Sequence, residues 1–268
     1  MTRPVVAGVD GSAAALAAVR WAAAEAVRRG TELVVFRAEL VDGPDLLPHR
    51  KPLGDAEMLL EPGYRQLCVA AEAARSAVPA VAVRRRLRLG AAAEQLIAMS
   101  GETELIVLGS HGVGGLRGAV IGSVALRTAA LARCPVAVVR GRAEADGPVV
   151  VGIDESDRSE RALAVAFEAA AARAAAVEAV HVWHDGSPGR ESALRDQVAA
   201  WSRKHPEVPV RVHLVRARSA ARALSGMSSG AQLVVVGSRG RGPVAGGLLG
   251  STGNWLLAHA DCPVEVAR

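Results

Sequence analysis

The strongest constraint on the fold of this 268-residue chain is an internal repeat. One glycine-rich stretch, at residues 107–125, reads VLGSHGVGGLRGAVIGSVA, and a second, at residues 235–253, reads VVGSRGRGPVAGGLLGSTG. In both, G-x-x-G is followed by nine residues and then by G-S. The segments VVAGVDGS at residues 5–12 and VVVGIDES at residues 149–156 also correspond. The chain is therefore predicted to consist of two related halves.

The repeat also sets the predicted domain boundaries. The first half ends on CPVAVVR and the second half ends on CPVEVAR. We predict a first domain over residues 1–140, a linker over residues 141–148 and a second domain over residues 149–268. The offset between corresponding residues falls from 144 to 128 along the chain, so the first half carries 16 additional residues. They are assigned to Leu40–Gly63, whose Pro and Gly residues predict a long loop.

Short, nearly continuous runs of Val, Leu and Ile recur in both halves, and such runs are typical of strands buried on both faces of a parallel sheet. First-half strands are predicted at Val5–Val9, Leu33–Phe36, Ala82–Leu89, Leu105–Leu108 and Val136–Val139. Second-half strands are predicted at residues 149–153, 177–182, 210–215, 233–236 and 264–267.

Alanine-rich stretches with helical spacing lie between these runs. First-half helices are predicted from an N-cap at Ser12 to a stop at Gly30, and over Tyr64–Val78, Ala91–Ser100 and Ser123–Leu131. The alternation predicts an α/β fold of two tandem doubly wound, Rossmann-like domains, each with a five-stranded parallel sheet of order 3-2-1-4-5.

Composition and charge exclude several classes of function. No apolar run approaches the roughly 20 residues of a membrane span, and the first residues lack the apolar region of a secretory signal, so a cytoplasmic protein without membrane binding is expected. The net charge is +5, but the arginines are scattered and only 3% of the residues are aromatic, so no nucleic-acid partner is expected.

The cysteines, Cys68, Cys134 and Cys262, show no disulfide framework or metal-ligand spacing, and Cys134 and Cys262 are interpreted as small buried thiols.

The glycine-rich loops follow the fourth predicted strand of each half, at the edge where ligands bind in open α/β sheets. Glycine lets the main chain approach a ligand closely, and the G-S that opens the next helix presents N–H groups to an anion. The predicted phosphate cradles contain Gly109, Gly112, Gly122 and Ser123 in the first half and Gly237, Gly240, Gly250 and Ser251 in the second. A glycine-rich turn required only for tight packing is the alternative.

Neither loop matches the other common phosphate-binding motifs. A Walker A loop needs a lysine after its last glycine, and the only lysines, Lys51 and Lys204, lie far from both loops. The string GRGPVA at residues 240–245 fits a dinucleotide fingerprint, but it follows a fourth strand and contains Pro243. We regard this match as accidental.

Asp10 and Asp154 end the first strand of each half, and the predicted strand order places them beside the glycine-rich loops. A carboxylate there can accept hydrogen bonds from ribose hydroxyls or hold Mg²⁺ through water. The alternative is an Asx turn, in which each Asp caps the turn that follows it. Ser12 and Ser156, two residues further on, are included as candidate nucleotide-binding residues.

With these motifs the chain resembles the universal stress protein family in its tandem two-domain form. The resemblance rests on VDGS and IDES after the first strand, GSHG…GS and GSRG…GS after the fourth, and CPVAVV and CPVEVA in the fifth. In that family, G-2x-G-9x-G-[ST] marks the subgroup that binds ATP, and both halves keep this motif. The resemblance therefore implies ATP as the cofactor, with Mg²⁺ held through its phosphates as an option and no metal site of the protein's own.

The resemblance also implies a role for each site residue. The ribose or adenine end of the nucleotide would be contacted by Asp10 and Asp154. The adenine edge would be recognised by the backbone of Ala38 and Val182. The base pocket would be lined by Leu108 and Val236. The phosphates would be held by Gly109, Gly112, Gly122, Ser123 and Val124 in one half and by Gly237, Gly240, Gly250, Ser251 and Thr252 in the other.

The two sites differ from each other in charge. Glu155 replaces Gly11 beside the second aspartate and adds negative charge near an anion, which Arg239 and Arg241 can offset. We therefore hypothesise that the sites differ in affinity. His111, the counterpart of Arg239, is interpreted as an exposed loop residue rather than a phosphate contact. The family further implies that the fifth strands of the two halves pair antiparallel within the chain, with a homodimer as a further option.

Three functions remain open at this point. The first is a nucleotide-responsive regulatory protein of stress or dormancy, acting on an unknown protein partner. The second is a slow ATPase or an adenylyl-transferring enzyme, for which no catalytic residue is predicted because no base or acid is evident beside the phosphates. The third is a nucleotide-free dimerisation scaffold, in which the glycines only shape a turn.

Overall fold

The structure, a computed structural model, describes residues 2–40, 53–112, 120–154, 156–183, 191–238 and 249–268. These residues form a ten-stranded sheet with the strand order β3-β2-β1-β4-β5-β10-β9-β6-β7-β8. Each half contributes five strands in the order 3-2-1-4-5, and within each half the neighbouring strands are parallel. The predicted α/β class and strand order are confirmed.

The strands are β1 Val5–Gly8, β2 Leu33–Glu39, β3 Val83–Leu89, β4 Leu105–Gly109, β5 Val136–Val139, β6 Val149–Ile153, β7 Val177–Trp183, β8 Val210–Arg216, β9 Leu233–Gly237 and β10 Val264–Ala267. The helices are α1 Ala13–Arg28, α2 Leu53–Ala77, α3 Ala92–Met99, α4 Ser123–Leu131, α5 Asp157–Ala171, α6 Glu191–Lys204, α7 Ala220–Met227 and α8 Ser251–His259. Ser12 is the N-cap of α1 as predicted, because its hydroxyl accepts a hydrogen bond of 3.1 Å from the Ala15 amide.

Helix α2 corrects the prediction of a loop over Leu40–Gly63. It begins at Leu53 and contains Pro62, so the last part of that segment is helical, whereas residues 41–52 lie outside the described residues. The residues before Pro62 read DAEMLLE, in which strong helix formers predominate, and their combined preference outweighs one proline and the neighbouring glycine. No helix in the described ranges is long and apolar enough to cross a membrane.

The core differs between the two faces of the sheet. On one face, beneath α3, α4, α7 and α8, a single apolar cluster runs through both halves, from Val34 in β2 to Val180 in β7. On the other face, each half has its own cluster, beneath α1 and α2 in the first half and beneath α5 and α6 in the second. Because aromatic residues are scarce, alanine fills much of the core. Ala18, Ala22 and Ala26 of α1 are fully buried, and their small side chains let the helix pack closely on the sheet.

The two halves join through their fifth strands. Strands β5 and β10 pair antiparallel, with Val138 opposite Val264 and Val136 opposite Val266. This is the pairing that the family resemblance implied. Each strand would otherwise be the edge of its own sheet, so the junction satisfies backbone groups that would be open in an isolated half. The outer edges of the combined sheet are β3 and β8.

A buried ionic network crosses this junction. Glu25 of α1, with 1% of its side chain exposed, lies 2.5 Å from Arg173 of the second half, whose side chain is 3% exposed. Arg29 of α1 contacts Glu265 of β10, which is fully buried, at 3.4 Å, and it also lies 3.6 Å from Glu25. Two acidic and two basic side chains are thus packed together between the halves.

The position of Glu265 predicts a pH-dependent stability. Burial, opposed mainly by the nearby Arg29, raises the pKa of Glu265 above its ordinary value of 4.5. Within the described part of the chain, its Oε2 atom has no hydrogen-bond partner. Between the ordinary pKa and the raised pKa, the folded protein keeps a proton that the unfolded chain has lost, so stability falls as pH rises through that interval.

We expect Glu265→Gln to remove this slope. Urea unfolding of the wild type and the variant, measured from about pH 4 upward, should show the variant gaining free energy of unfolding relative to the wild type as pH rises. The same comparison for Ser229→Ala, at an exposed position without an ionisable group, should show a pH-independent difference. A parallel pH course for the wild type and Glu265→Gln would refute the assignment.

Candidate functional site

The carboxyl ends of β1, β2 and β4 border a cavity of about 480 Å³, closed on the other side by α3 and the start of α4. This volume falls within the range of small-molecule sites, roughly 300–1,000 Å³. The cavity is lined by Gly8, Val9, Asp10, Ala15, Phe36, Arg37, Ala38, Ala92, Leu96, Leu108, Gly109, His111, Gly112, Gly122, Ser123, Val124 and Ala125. It therefore lies where the strand order predicts a ligand site.

Eight of the predicted first-half residues line this cavity together: Asp10, Ala38, Leu108, Gly109, Gly112, Gly122, Ser123 and Val124. Ser12 does not line it. Its hydroxyl instead caps α1 through the Ala15 amide, so its position serves the helix that starts beside the site.

The start of α4, with Gly122 before it, presents main-chain donors to the cavity. The Gly122 amide donates to the Ser110 carbonyl at 2.8 Å, which fixes the start of the helix. Gly122 is the N-cap, and no side chain caps α4. The first amides of a helix have no partner within the helix, so those of α4 can bind an anion at the cavity wall. The exposed hydroxyl of Ser123 adds a donor at the same place.

Gly112 brings the loop against Asp10. A Cβ atom at Gly112 would lie 2.5 Å from Oδ2 of Asp10, closer than real Cβ atoms approach any other atom. Asp10 also receives a hydrogen bond of 2.9 Å from the Ser12 amide on Oδ1. The Asx turn that the sequence left open is therefore present, and the same carboxylate lines the cavity.

Of the three apolar residues that form one wall of the cavity, the sequence predicted only Leu108. Phe36 and Leu96 are almost fully buried, and they line the cavity together with Leu108. The signal for Phe36 was its spacing of two from Ala38 on the same strand, which places both side chains on one face. The position of Leu96 depends on how α3 packs over β2 and β1, which the sequence does not reveal.

His111 corrects a second expectation. It was interpreted as an exposed loop residue, but it is half-buried and lines the cavity, with Nδ1 at 2.9 Å from the Ser110 hydroxyl. The Gly122 amide donates to the carbonyl of Ser110, the residue directly before this imidazole.

The second half repeats the same construction where it is described. The Gly250 amide donates to the Ser238 carbonyl at 3.1 Å, and Gly250 is an N-cap of α8 without a side-chain cap. Ser251 and Thr252 are the first residues of α8, exposed and half-buried respectively. Gly240 lies outside the described residues, as do Glu155, Arg239 and Arg241.

Apolar residues pack at the ends of β6 and β9 as they do in the first half. A Cβ atom at Gly152 would lie 2.8 Å from Leu224 and 3.4 Å from Val236, and Gly8 is enclosed in the same way by Leu108 and Leu96. Val182, at the end of β7, packs against this cluster, and Gly237 ends β9.

The two aspartates have different surroundings. Oδ1 of Asp154 accepts three hydrogen bonds: from the Ser156 amide at 2.9 Å and from the hydroxyls of Ser156 and Ser159 at 2.5 Å and 2.8 Å. Ala15 stands in the first half where Ser159 stands in the second. The second carboxylate therefore has an additional local donor beside it.

Two buried thiols flank the fifth strands. Burial raises the pKa of Cys134 to about 11 and the pKa of Cys262 to about 12, so both stay protonated at neutral pH. Cys68 is exposed. Among the described residues, no group of three or more His, Cys, Asp or Glu side chains is arranged to hold a metal ion.

The universal stress protein family (Usp) matches residues 1–140 and 147–268, which together make up nearly the whole chain. The chain belongs to this family. It is 37% identical to universal stress protein Rv2005c of Mycobacterium tuberculosis (strain H37Rv), over 98% of this chain and 96% of that protein. A second universal stress protein of the same strain, Rv2623, is 35% identical, also over 98% of this chain and 96% of its own length.

Among solved structures, a universal stress protein from Archaeoglobus fulgidus superimposes with a TM-score of 0.78. The superposition covers 99% of this chain and 98% of that chain, at 20% identity. Agreement over the full length at such low identity shows that the tandem α/β fold is shared between universal stress proteins of very different sequence.

Proposed function

We propose that this universal stress protein is a nucleotide-responsive regulatory protein whose ligand is ATP. The observation that carries the proposal is the cavity of about 480 Å³ in which eight predicted residues meet. It combines an apolar wall, a carboxylate and a helix start, which suit the base, the ribose and the phosphates of one ligand.

Each part of the nucleotide has a matching surface. The wall of Phe36, Leu96 and Leu108 suits the flat face of adenine, and the backbone of Ala38 can pair with its edge. Asp10 can accept hydrogen bonds from ribose hydroxyls, and the amides from Gly122 onward suit the phosphates. Mg²⁺, where present, would be held by the phosphates, with Asp10 able to contact its water shell.

The repeated helix start at Gly250 and Ser251 supports a second site in the other half. We expect the two sites to differ in affinity, because Asp154 is held by the hydroxyls of Ser156 and Ser159 and is followed by Glu155, whereas Gly11 follows Asp10. The first site has Ala15 in the place of Ser159, so no serine hydroxyl at that position competes for its carboxylate, and it should bind the nucleotide more tightly.

A regulatory role is favoured because the cavity is built largely from main-chain amides and apolar side chains. Bound ATP would favour one conformation or one partner-binding surface, in a cytoplasmic response to stress or dormancy. The partner would be a protein, and the junction of the halves within one chain makes a homodimer unnecessary for covering β5 and β10.

The first test is to denature the purified full-length protein and identify any released nucleotide by mass spectrometry. Calorimetric titration with ATP and Mg²⁺ should then show that Asp10→Ala weakens one class of site by about tenfold, while Asp154→Ala affects the other class. Asp146→Ala, at an exposed linker position, should leave binding unchanged.

Different outcomes separate the candidate functions. If the titration gives no heat and the denatured protein releases no nucleotide, the scaffold is favoured. Steady phosphate release from Mg·ATP would favour a slow ATPase. Equal residual binding in the two aspartate variants would contradict the expected difference between the sites.

A further inference from the structure

Two arginines cross the junction between the halves in a reciprocal way. Arg140 follows β5 of the first half, and its Nη1 donates to the Leu257 carbonyl of α8, in the second half, at 2.8 Å. Arg268 follows β10 of the second half, and its Nη2 donates to the Ala129 carbonyl of α4, in the first half. The two arginines are 128 residues apart, as are the two carbonyls, so the contacts are equivalent under the repeat.

The two contacted carbonyls do not receive the i+4 amide hydrogen bond of their own helix. The amide that would bond to Ala129 belongs to Arg133, and it donates to the Ser100 hydroxyl at 2.9 Å. The amide that would bond to Leu257 belongs to Asp261, and it donates to the Ser228 hydroxyl at 2.8 Å. Each arginine therefore donates a hydrogen bond to a carbonyl near the carboxyl end of a helix in the opposite half, where the i+4 amide of that helix is bonded elsewhere.

The antiparallel junction explains why the donors come from the opposite half. The carboxyl end of β5 lies beside the amino end of β10, and α8 ends just before β10 begins. Arg140 at the end of β5 is thereby brought to the end of α8, and Arg268 reaches the end of α4 by the same symmetry. Within one half, the arginine and the end of the helix lie at opposite ends of the strand.

The two helices are those that start at the phosphate cradles. Helix α4 begins at Ser123 and α8 begins at Ser251, and each has only nine residues. A cation at the carboxyl end of a helix is favoured by the helix dipole and holds the helix in place along its axis. The arginine of one half thus contacts the carboxyl end of the helix whose amino-terminal amides form the cradle of the other half.

We propose that Arg140 and Arg268 are positioning residues that act in a crossed manner: Arg268 orients the cradle of the first half, and Arg140 orients the cradle of the second. This inference rests on the proposed nucleotide binding, and it adds that neither site is complete within its own domain. Each half should therefore affect the affinity of the opposite site.

The test uses matched variants that leave one cradle working. Gly122→Val and Gly250→Val each place a side chain at the start of a cradle helix. At Gly122 the nearest atom to an added Cβ lies at 3.6 Å, which is ordinary van der Waals contact, and circular dichroism verifies that both variants fold. In the Gly250→Val background, Arg268→Met should weaken ATP binding by about three- to tenfold, and Arg140→Met should change it by less than about twofold. In the Gly122→Val background the two effects should exchange.

The conservative variants Arg268→Lys and Arg140→Lys keep the positive charge and should restore part of the affinity. A role limited to general stability would lower affinity at both sites alike, or at neither. Either of those results, or a stronger effect of each arginine on the site of its own half, would overturn the proposal.

A second measurement does not require nucleotide. Hydrogen–deuterium exchange of the ligand-free protein should become faster at residues 123–131 in Arg268→Met and at residues 251–259 in Arg140→Met. If the two variants show the crossed exchange pattern but the wild-type protein does not bind ATP, the proposed function is refuted while the helix anchoring stands. An uncrossed exchange pattern would refute the anchoring itself.

Discussion

Glu25→Ala is expected to lower the free energy of unfolding by about 3–5 kcal/mol, because it leaves a buried charge without its partner. Arg173 is 3% exposed and lies 2.5 Å from the Glu25 carboxylate. Among the described residues, its side chain also contacts the Ala169 carbonyl at 3.0 Å and the face of Trp21 at 5.8 Å, neither of which carries a negative charge. Urea unfolding at neutral pH measures the loss directly.

Arg28→Ala is the matched control for this change. Arg28 pairs with the same carboxylate at 2.7 Å, but a third of its side chain is exposed. Its removal should therefore cost no more than about 1 kcal/mol. Replacing both buried partners, as in Glu25→Leu with Arg173→Met, should recover much of the loss. If Glu25→Ala costs as little as Arg28→Ala, the network does not hold the halves together.

Gly112→Val is expected to abolish high-affinity nucleotide binding at the first site, with a loss of about 30- to 100-fold, while the protein stays folded. The first atom of the new side chain would fall 2.5 Å from Oδ2 of Asp10, so the loop and the carboxylate cannot both keep their places. Calorimetry should show the stoichiometry of ATP falling from about two per chain to about one.

Gly226→Val provides the control, because no atom lies within 4 Å of a Cβ built at Gly226 in α7. It should bind ATP like the wild type. Circular dichroism separates a loss of binding from a loss of fold. Unchanged affinity and stoichiometry in a folded Gly112→Val protein would show that the nucleotide does not use this loop.

Features that repeat in both halves were predictable from the sequence. The runs of Val, Leu and Ile predicted the strands, and the two glycine motifs predicted where Gly122 and Gly250 start a helix. Local pattern suffices here because a buried parallel strand and a helix start each have a distinctive composition. The start of α2 at Leu53 was missed because Pro and Gly were given more weight than the helix formers around them.

Features that occur once were not predictable. Glu25 and Glu265 correspond to Ala169 and Ala137 in the opposite halves, so no repeat pointed to them. Their meeting with Arg29 and Arg173 depends on how the halves pack. The inward position of His111 likewise accompanies the hydrogen bond from the Gly122 amide to Ser110, a tertiary contact without a sequence pattern.

The pairing of β5 with β10 also limits how the molecule can assemble. With β5 and β10 paired, β3 and β8 are the edge strands among the described residues, and β3 carries Arg84, Arg85, Arg86 and Arg88. Because these arginines are close together and carry the same charge, the edge of β3 repels the identical strand of another chain. Fibre-like growth by strand addition is thereby disfavoured, and larger complexes of this protein should form through the outer surfaces of the helices.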